Sequence, residues 1–97
     1  MIKHILLFKF KEGVGEKEKN IGINMLRDLK NKIPEIKEWE VGVQRKKELS
    51  EKFYDFVQVS SFEDEKAMDA FSQNPEHEKV KQYLKARATW VKVDYDF

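Results

Sequence analysis

The fold of this chain is decided by residues 4–10, which read HILLFKF. This short apolar run, followed by glycines at positions 13 and 15, predicts a β-strand over residues 2–10. Successive side chains of a strand point to opposite faces of a sheet. Leu6 and Phe8 therefore lie on one face and Ile5 and Leu7 on the other. Both faces of this strand are apolar, so both need to be covered.

A strand predicted over residues 53–62 has the same property. Tyr54 and Phe56 fall on one side, and Val57 and Val59 fall on the other. Two further strands are predicted over residues 36–44 and 89–95. The first of these alternates cleanly between apolar and polar residues, which is typical of a strand with one wet face.

Helical spacing predicts a helix over residues 16–32, which ends before Pro34 because the residue before proline avoids helical geometry. A second helix is predicted over residues 64–73 with Asp64 as its N-cap. Asn74 and Pro75 then suit the N-cap and first position of another short helix. The predicted apolar stripe of the first helix consists of Ile21, Met25, Leu26, Leu29 and Ile33.

The predicted order is strand, helix, strand, strand, helix, strand, with a polar connection over residues 45–51. This order indicates a single α+β domain over residues 1–97 with a ferredoxin-like βαββαβ fold. Its sheet has four antiparallel strands, and right-handed crossovers place the first and third strands in the middle. Both helices then cover the same face of the sheet.

The other face of the sheet would be left with an open apolar patch. The patch consists of Ile5, Leu7, Val57 and Val59. Contiguous exposed apolar patches usually mark an interface, and a chain of this length buries little surface by itself. We therefore expect a homodimer in which two sheets pack face to face and form a dimeric α/β barrel. The alternative is a monomer whose second face is partly wet.

Composition excludes several classes of function. The 97 residues carry 19 basic and 18 acidic side chains, and this net charge of +1 argues against a nucleic-acid partner. There is no cysteine, no HExxH motif and no phosphate-binding loop, so we expect no cofactor. No apolar run approaches the length of a membrane helix, and the amino terminus lacks the form of a signal peptide. We expect a cytoplasmic protein with no membrane partner.

Several short motifs, taken in order, resemble the stress-responsive dimeric α/β-barrel family. The resemblance covers essentially the whole chain and implies a homodimer of ferredoxin-like subunits, but no single reaction. One plant member of the family closes a linear polyketide by aldol condensation. The motifs are KHILLFKFK at residues 3–11, IPEI at 33–36, YDFV at 54–57, FED at 62–64, NPEH at 74–77 and VDY at 93–95.

The resemblance implies a ligand pocket between the sheet and the helices. Its general base would be His77. Phe71 stands where the polyketide cyclase has a tyrosine that bonds the base, and Phe56 stands where it has another histidine. A phenyl ring can neither orient an imidazole nor donate to a carbonyl, so these differences argue against that reaction. The predicted pocket residues are His4, Leu6, Phe8, Leu26, Trp39, Phe56, Gln58, Phe71 and Val80.

The two histidines have structural alternatives. His77 falls at the third position of its helix, where the helix dipole favours the neutral ring that a general base needs, although it could equally cap or pack at the helix end. His4 is either a satisfied interior histidine or a polar anchor of the pocket. By resemblance, backbone carbonyls of Lys30, Ile33 and Ile36 could hold a cation. The strand pattern leaves open whether strand four turns Trp90 and Lys92, or Val91 and Val93, toward the pocket.

Three functions remain as hypotheses. The first is a stress-response-type protein that binds a small apolar or aromatic molecule. The second is a cofactor-free, cyclase-like enzyme with His77 as its base. The third is a structural assembly protein that uses the dimer surface alone.

Overall fold

A computed structural model describes residues 1–45 and 53–97. The polar connection predicted over residues 45–51 therefore lies, apart from Arg45, outside the described residues. The elements in chain order are β1 (Ile2–Phe10), α1 (Glu16–Lys32), β2 (Glu38–Val43), β3 (Phe56–Phe62), α2 (Glu65–Gln73), α3 (Pro75–Arg87) and β4 (Ala88–Asp96).

The four strands form one antiparallel sheet in the order β2-β3-β1-β4. The predicted ferredoxin-like topology is confirmed, with β1 and β3 in the middle. The register places Leu6 opposite Gln58 on β3 and opposite Lys92 on β4. Residues directly opposite one another in adjacent strands share a face, so this row of three side chains faces the helices.

The hydrophobic core fills the layer between the sheet and the helices. Gly22 lets α1 approach α3 closely, because a Cβ there would lie only 3.0 Å from the Leu84 side chain. None of the helices within the described residues is long and apolar enough to cross a membrane. The core consists of Phe8, Ile23, Leu26, Leu29, Ile33, Ile36, Phe56, Phe62, Phe71, Val80 and Leu84.

Hydrogen bonds to side chains set several element boundaries. The Asp64 carboxylate accepts from the amide of Ala67 at 2.9 Å, and the Asn74 side chain accepts from the amide of Glu76 at 2.9 Å. Both predicted N-caps are therefore confirmed. They divide the carboxyl-terminal helical region into α2 and α3, and this division places His77 in the first turn of α3.

Two predictions of local structure need correction. Strand β3 begins at Phe56 rather than at residue 53. The amide of Asp55 still donates to the carbonyl of Phe8 at 2.8 Å, but the amide of Phe10 donates to the Asp55 carboxylate, at 2.7 Å, and not to a main-chain carbonyl. Ile21 does not belong to the buried stripe of α1, since 41% of it is exposed. Ile23 is buried instead, which rotates the inner face of this helix from the predicted one.

The face of the sheet opposite the helices carries a continuous apolar patch. Ile5 lies opposite Val59 and Val93, and Leu7 lies opposite Val57 and Val91, so all six residues share this face. The four residues on β1 and β3 are half-buried by their neighbours. Val91 and Val93 are 50% and 56% exposed. This patch is the surface that the central strands leave uncovered, and we call it the open apolar face.

We predict that the substitution Leu7→Glu converts a dimer into a monomer. A carboxylate at the centre of the open apolar face would lose its hydration if two copies packed there, and Val57 and Val91, which lie opposite this position, offer it no polar partner. Sedimentation equilibrium should give the wild-type chain twice its 11.6 kDa mass and the variant that mass once. Ile21→Glu places the same charge on the outer surface of α1 and should remain dimeric. A wild-type monomer at micromolar concentration would contradict this prediction.

Candidate functional site

A cavity of about 210 Å³ lies between the sheet and the helices. Its sides are formed by α1, α3 and the end of α2, and its base is formed by side chains of all four strands. The lining residues are His4, Leu6, Phe8, Leu26, Leu29, Trp39, Gln58, Phe71, Ser72, His77, Val80, Lys81, Leu84, Trp90 and Lys92.

The structure brings together His77 and eight of the nine predicted pocket residues around this cavity. Phe56 is the exception, and its placement in the pocket was wrong. Its ring stacks on that of Phe8 with the centroids 4.4 Å apart, and it also contacts Phe10 at 5.0 Å. Phe56 is therefore a core residue that supports Phe8, which itself lines the cavity.

Strand β4 contributes Trp90 and Lys92 to the cavity, which decides the alternative that the sequence left open. Val91 and Val93 lie on the opposite face. The pairing with β1 fixes this choice, because Trp90 lies opposite Phe8. The cavity thus gains an aromatic side chain and a cation that sequence reasoning did not assign to it.

Aromatic side chains form much of the cavity wall. Trp39 is held by its indole N–H, which donates to the carbonyl of Leu26 at 3.0 Å. The ring of Phe71 lies 5.8 Å from that of Trp39 and 4.5 Å from the imidazole of His77. These contacts place an imidazole at the edge of an aromatic surface.

The imidazole of His77, in the first turn of α3, is hydrogen-bonded to the main chain of α2. Its Nδ1–H donates to the carbonyl of Ser72 at 3.2 Å. Since a carbonyl can only accept, Nδ1 carries the proton and Nε2 is the basic nitrogen of the neutral ring. The Ser72 carbonyl thus orients the ring, a role that Phe71 cannot fill. No side-chain signal in the sequence reveals a backbone partner of this kind.

The pKa of His77 lies below its ordinary value. Burial is the main cause, because the half-buried ring loses hydration when it is charged. The Ser72 carbonyl and Glu78 oppose this shift, while Lys81 and His4 reinforce it. The sequence predicted a neutral ring from the helix dipole, whereas the principal cause is loss of solvent. The result is an imidazole that is uncharged near neutral pH.

His4 pairs with a carboxylate that sequence reasoning missed. Its Nδ1–H donates to Asp94 on β4, which lies directly opposite in the sheet register. Because a carboxylate can only accept, this bond assigns a proton to Nδ1 of His4 and orients the ring. The sequence would indicate this pair only if the register of β4 against β1 were known, and the strand pattern left that register open. The ammonium of Lys92 lies 3.9 Å from the same carboxylate.

Two of the three carbonyls suggested for a cation site, those of Ile33 and Ile36, already accept hydrogen bonds. The ammonium of Lys30 donates to the carbonyl of Ile36 at 3.0 Å, and the amide of Ile36 donates to the carbonyl of Ile33 at 3.4 Å. A positive side chain therefore lies where a bound cation would, which argues against the suggested site. Residues 1–45 and 53–97 also contain no group of three His, Cys, Asp or Glu side chains placed to hold a metal ion.

Comparison with known proteins gives consistent matches over the whole chain. Residues 2–97 match the sequence profile of a family described as the stress responsive A/B barrel domain. An uncharacterised protein of Streptomyces coelicolor is 32% identical to this chain over 101 aligned residues. The alignment covers the full length of both proteins.

Two solved structures described as dimeric and ferredoxin-like, both of unknown function, have the same fold. One from Thermobifida fusca is 26% identical, with a TM-score of 0.85, over 99% of this chain and 90% of the other. One from Bacteroides fragilis is 27% identical, with a TM-score of 0.80, over 99% of this chain and 95% of the other.

We predict that His77 titrates below the ordinary histidine pKa of about 6.5. The unfolded chain would then take up the proton at a higher pH than the folded chain does. The neutral, buried ring of His77 therefore makes its full contribution to the free energy of unfolding above about pH 6.5. This contribution is lost as the pH falls through the folded-state pKa. An NMR titration of the imidazole C–H resonances, assigned with His77→Gln, measures the midpoint directly. A midpoint at or above the ordinary value would contradict the burial argument.

Proposed function

Since this chain belongs to the stress-responsive A/B barrel domain family, we propose that it is a homodimer that binds a small apolar or aromatic molecule. The ligand occupies the cavity between the sheet and the helices. The dimeric relatives and the open apolar face support the assembly. The observation that carries the binding function is the cavity itself, with its aromatic walls and its few converging polar groups.

The size of the cavity supports this proposal. Protein interiors are close-packed, and voids larger than a water molecule are few in each domain. An engineered apolar cavity of about 150 Å³ is large enough to take up benzene. The cavity of this chain, at about 210 Å³, exceeds that volume and is bordered by Trp39, Phe71 and Trp90. Flat apolar molecules match both its volume and the chemistry of its walls.

We predict that toluene binds to the wild-type chain and that Leu6→Trp abolishes this binding. Leu6 lies at the base of the cavity, where a larger indole would fill the space. Titration with toluene, followed by ¹H–¹⁵N correlation spectra, should shift the amides of the cavity-lining residues in the wild-type chain.

The matched control for this experiment is Ile21→Trp. It adds an indole to the exposed side of α1, outside the cavity, and should bind toluene as the wild type does. Circular dichroism checks that both variants are folded. A wild-type chain whose cavity resonances do not move at saturating toluene would overturn the proposed binding function.

A second function, cofactor-free base catalysis by His77, is favoured by one specific observation. The Ser72 carbonyl holds Nδ1–H, and burial keeps the ring neutral, so Nε2 is available as a base beside an aromatic wall. Those are the features that a general base requires at neutral pH. In this reading the substrate would lose a proton from carbon, as an enolising or cyclising substrate does.

We predict that 5-nitrobenzisoxazole, a flat probe for bases in apolar sites, is opened by the wild-type chain. The base removes the C–H proton of the ring, the N–O bond breaks, and a coloured cyanophenolate forms. The rate should fall roughly 100-fold in His77→Gln, since a positioned base contributes about that much. The wild-type rate should also fall as the pH is lowered through the pKa of His77, because protonation removes the base.

The control for the catalytic experiment is Lys17→Ala, which changes a charge on α1 at a residue that does not line the cavity. Its rate should equal that of the wild type. Equal rates for the wild type and His77→Gln would remove the enzymatic alternative and leave the binding function untouched.

A further inference from the structure

The side chain of Gln58 is completely buried and has no hydrogen-bonding partner among the described residues. Both its amide nitrogen and its amide oxygen are in this state. Buried polar groups in folded proteins are nearly always paired, because an unpaired one loses its hydration without compensation. Gln58 borders the cavity, so a ligand that displaces the side chains now covering this amide would supply what the protein does not.

The surroundings of Gln58 explain why the protein leaves it unpaired. Its neighbours across the sheet are Leu6 on β1 and Val41 on β2, which have no polar side-chain atoms. Along β3, the residues on the same face are Phe56 and Ser60. The hydroxyl of Ser60 already donates to the carbonyl of His4 at 3.3 Å. A leucine or methionine at position 58 would complete this apolar layer without leaving a buried polar group unpaired.

We propose that Gln58 is the recognition residue for an uncharged group that presents a hydrogen-bond donor beside an acceptor, namely a carboxamide or a lactam. This inference rests on the proposed binding function and names its ligand class. The oxygen of Gln58 accepts from the N–H of the ligand, and its –NH₂ donates to the carbonyl of the ligand. Both orphaned atoms are then satisfied by one planar group.

Other polar groups fit this amide less well. A carboxylate offers only acceptors, so one of its oxygens would face the oxygen of Gln58. An ester or a ketone satisfies the –NH₂ group but leaves that oxygen unpaired. The cations that line the cavity, Lys81 and Lys92, lie on α3 and β4, whereas Gln58 lies between two apolar neighbours. The apolar body of the ligand would rest against the aromatic walls.

The test compares benzamide with methyl benzoate, which has a similar shape but only acceptors. We expect the wild-type chain to bind benzamide about tenfold more tightly by calorimetry or NMR titration, the factor that one additional neutral hydrogen bond supplies. Gln58→Met should bind both probes with similar affinity, because a thioether cannot donate a hydrogen bond and accepts one only weakly. Gln82→Met makes the same substitution on the exposed side of α3 and should keep the preference for benzamide.

The outcomes separate this inference from the function on which it rests. If toluene binds but benzamide has no advantage in the wild type, or if Gln58→Met keeps the advantage, the recognition role is overturned and the binding function stands. If toluene, benzamide and methyl benzoate all fail to bind, the binding function fails as well.

Stability and spectroscopy give independent readouts of the same role. Gln58→Met should unfold at the same temperature as the wild type or a higher one, since it removes an unpaired buried amide. A clear drop would show that Gln58 serves the fold, which would overturn the proposal. Should the variant not fold, the side-chain –NH₂ resonances of Gln58 in the wild type decide. They must shift with benzamide more than with methyl benzoate, and equal shifts would overturn the proposal.

Discussion

The structure depends on a mismatch between a sheet that is apolar on both faces and helices that cover only one of them. The central strands β1 and β3 carry large apolar side chains in both directions, as Phe8 and Leu7 illustrate. The helices cover the face that carries Phe8. The face that carries Leu7 stays open within one chain, which is the geometry of a subunit that associates through its sheet.

The same arrangement creates the cavity. The helices pack against the sheet through buried residues such as Phe62 and Ile33. The layer between helices and sheet is nevertheless not filled, and the side chains that border the cavity include histidine, lysine and glutamine. Polar groups in such a position lower the stability of the fold, and they commonly persist where a protein binds something.

Solvent exclusion gives those polar groups their chemistry. His77 is held neutral chiefly by burial, and the Ser72 carbonyl then decides which of its nitrogens is basic. His4 is oriented differently, by the carboxylate of Asp94. The Phe71 ring contacts both imidazoles, with centroids 6.2 Å from His4 and 4.5 Å from His77. Each histidine thus acquires a distinct environment although both border one cavity.

The sequence by itself determined the order of elements and the caps at Asp64 and Asn74, because periodicity and capping are local, and its resemblance to the family indicated most of the cavity lining. The tertiary structure alone decided what depends on strand register and on backbone partners. The register of β4 placed Asp94 beside His4, and a main-chain carbonyl oriented His77. The tertiary structure also placed Phe56 in the core and left the amide of Gln58 without a partner, since burial is a property of the whole packed layer.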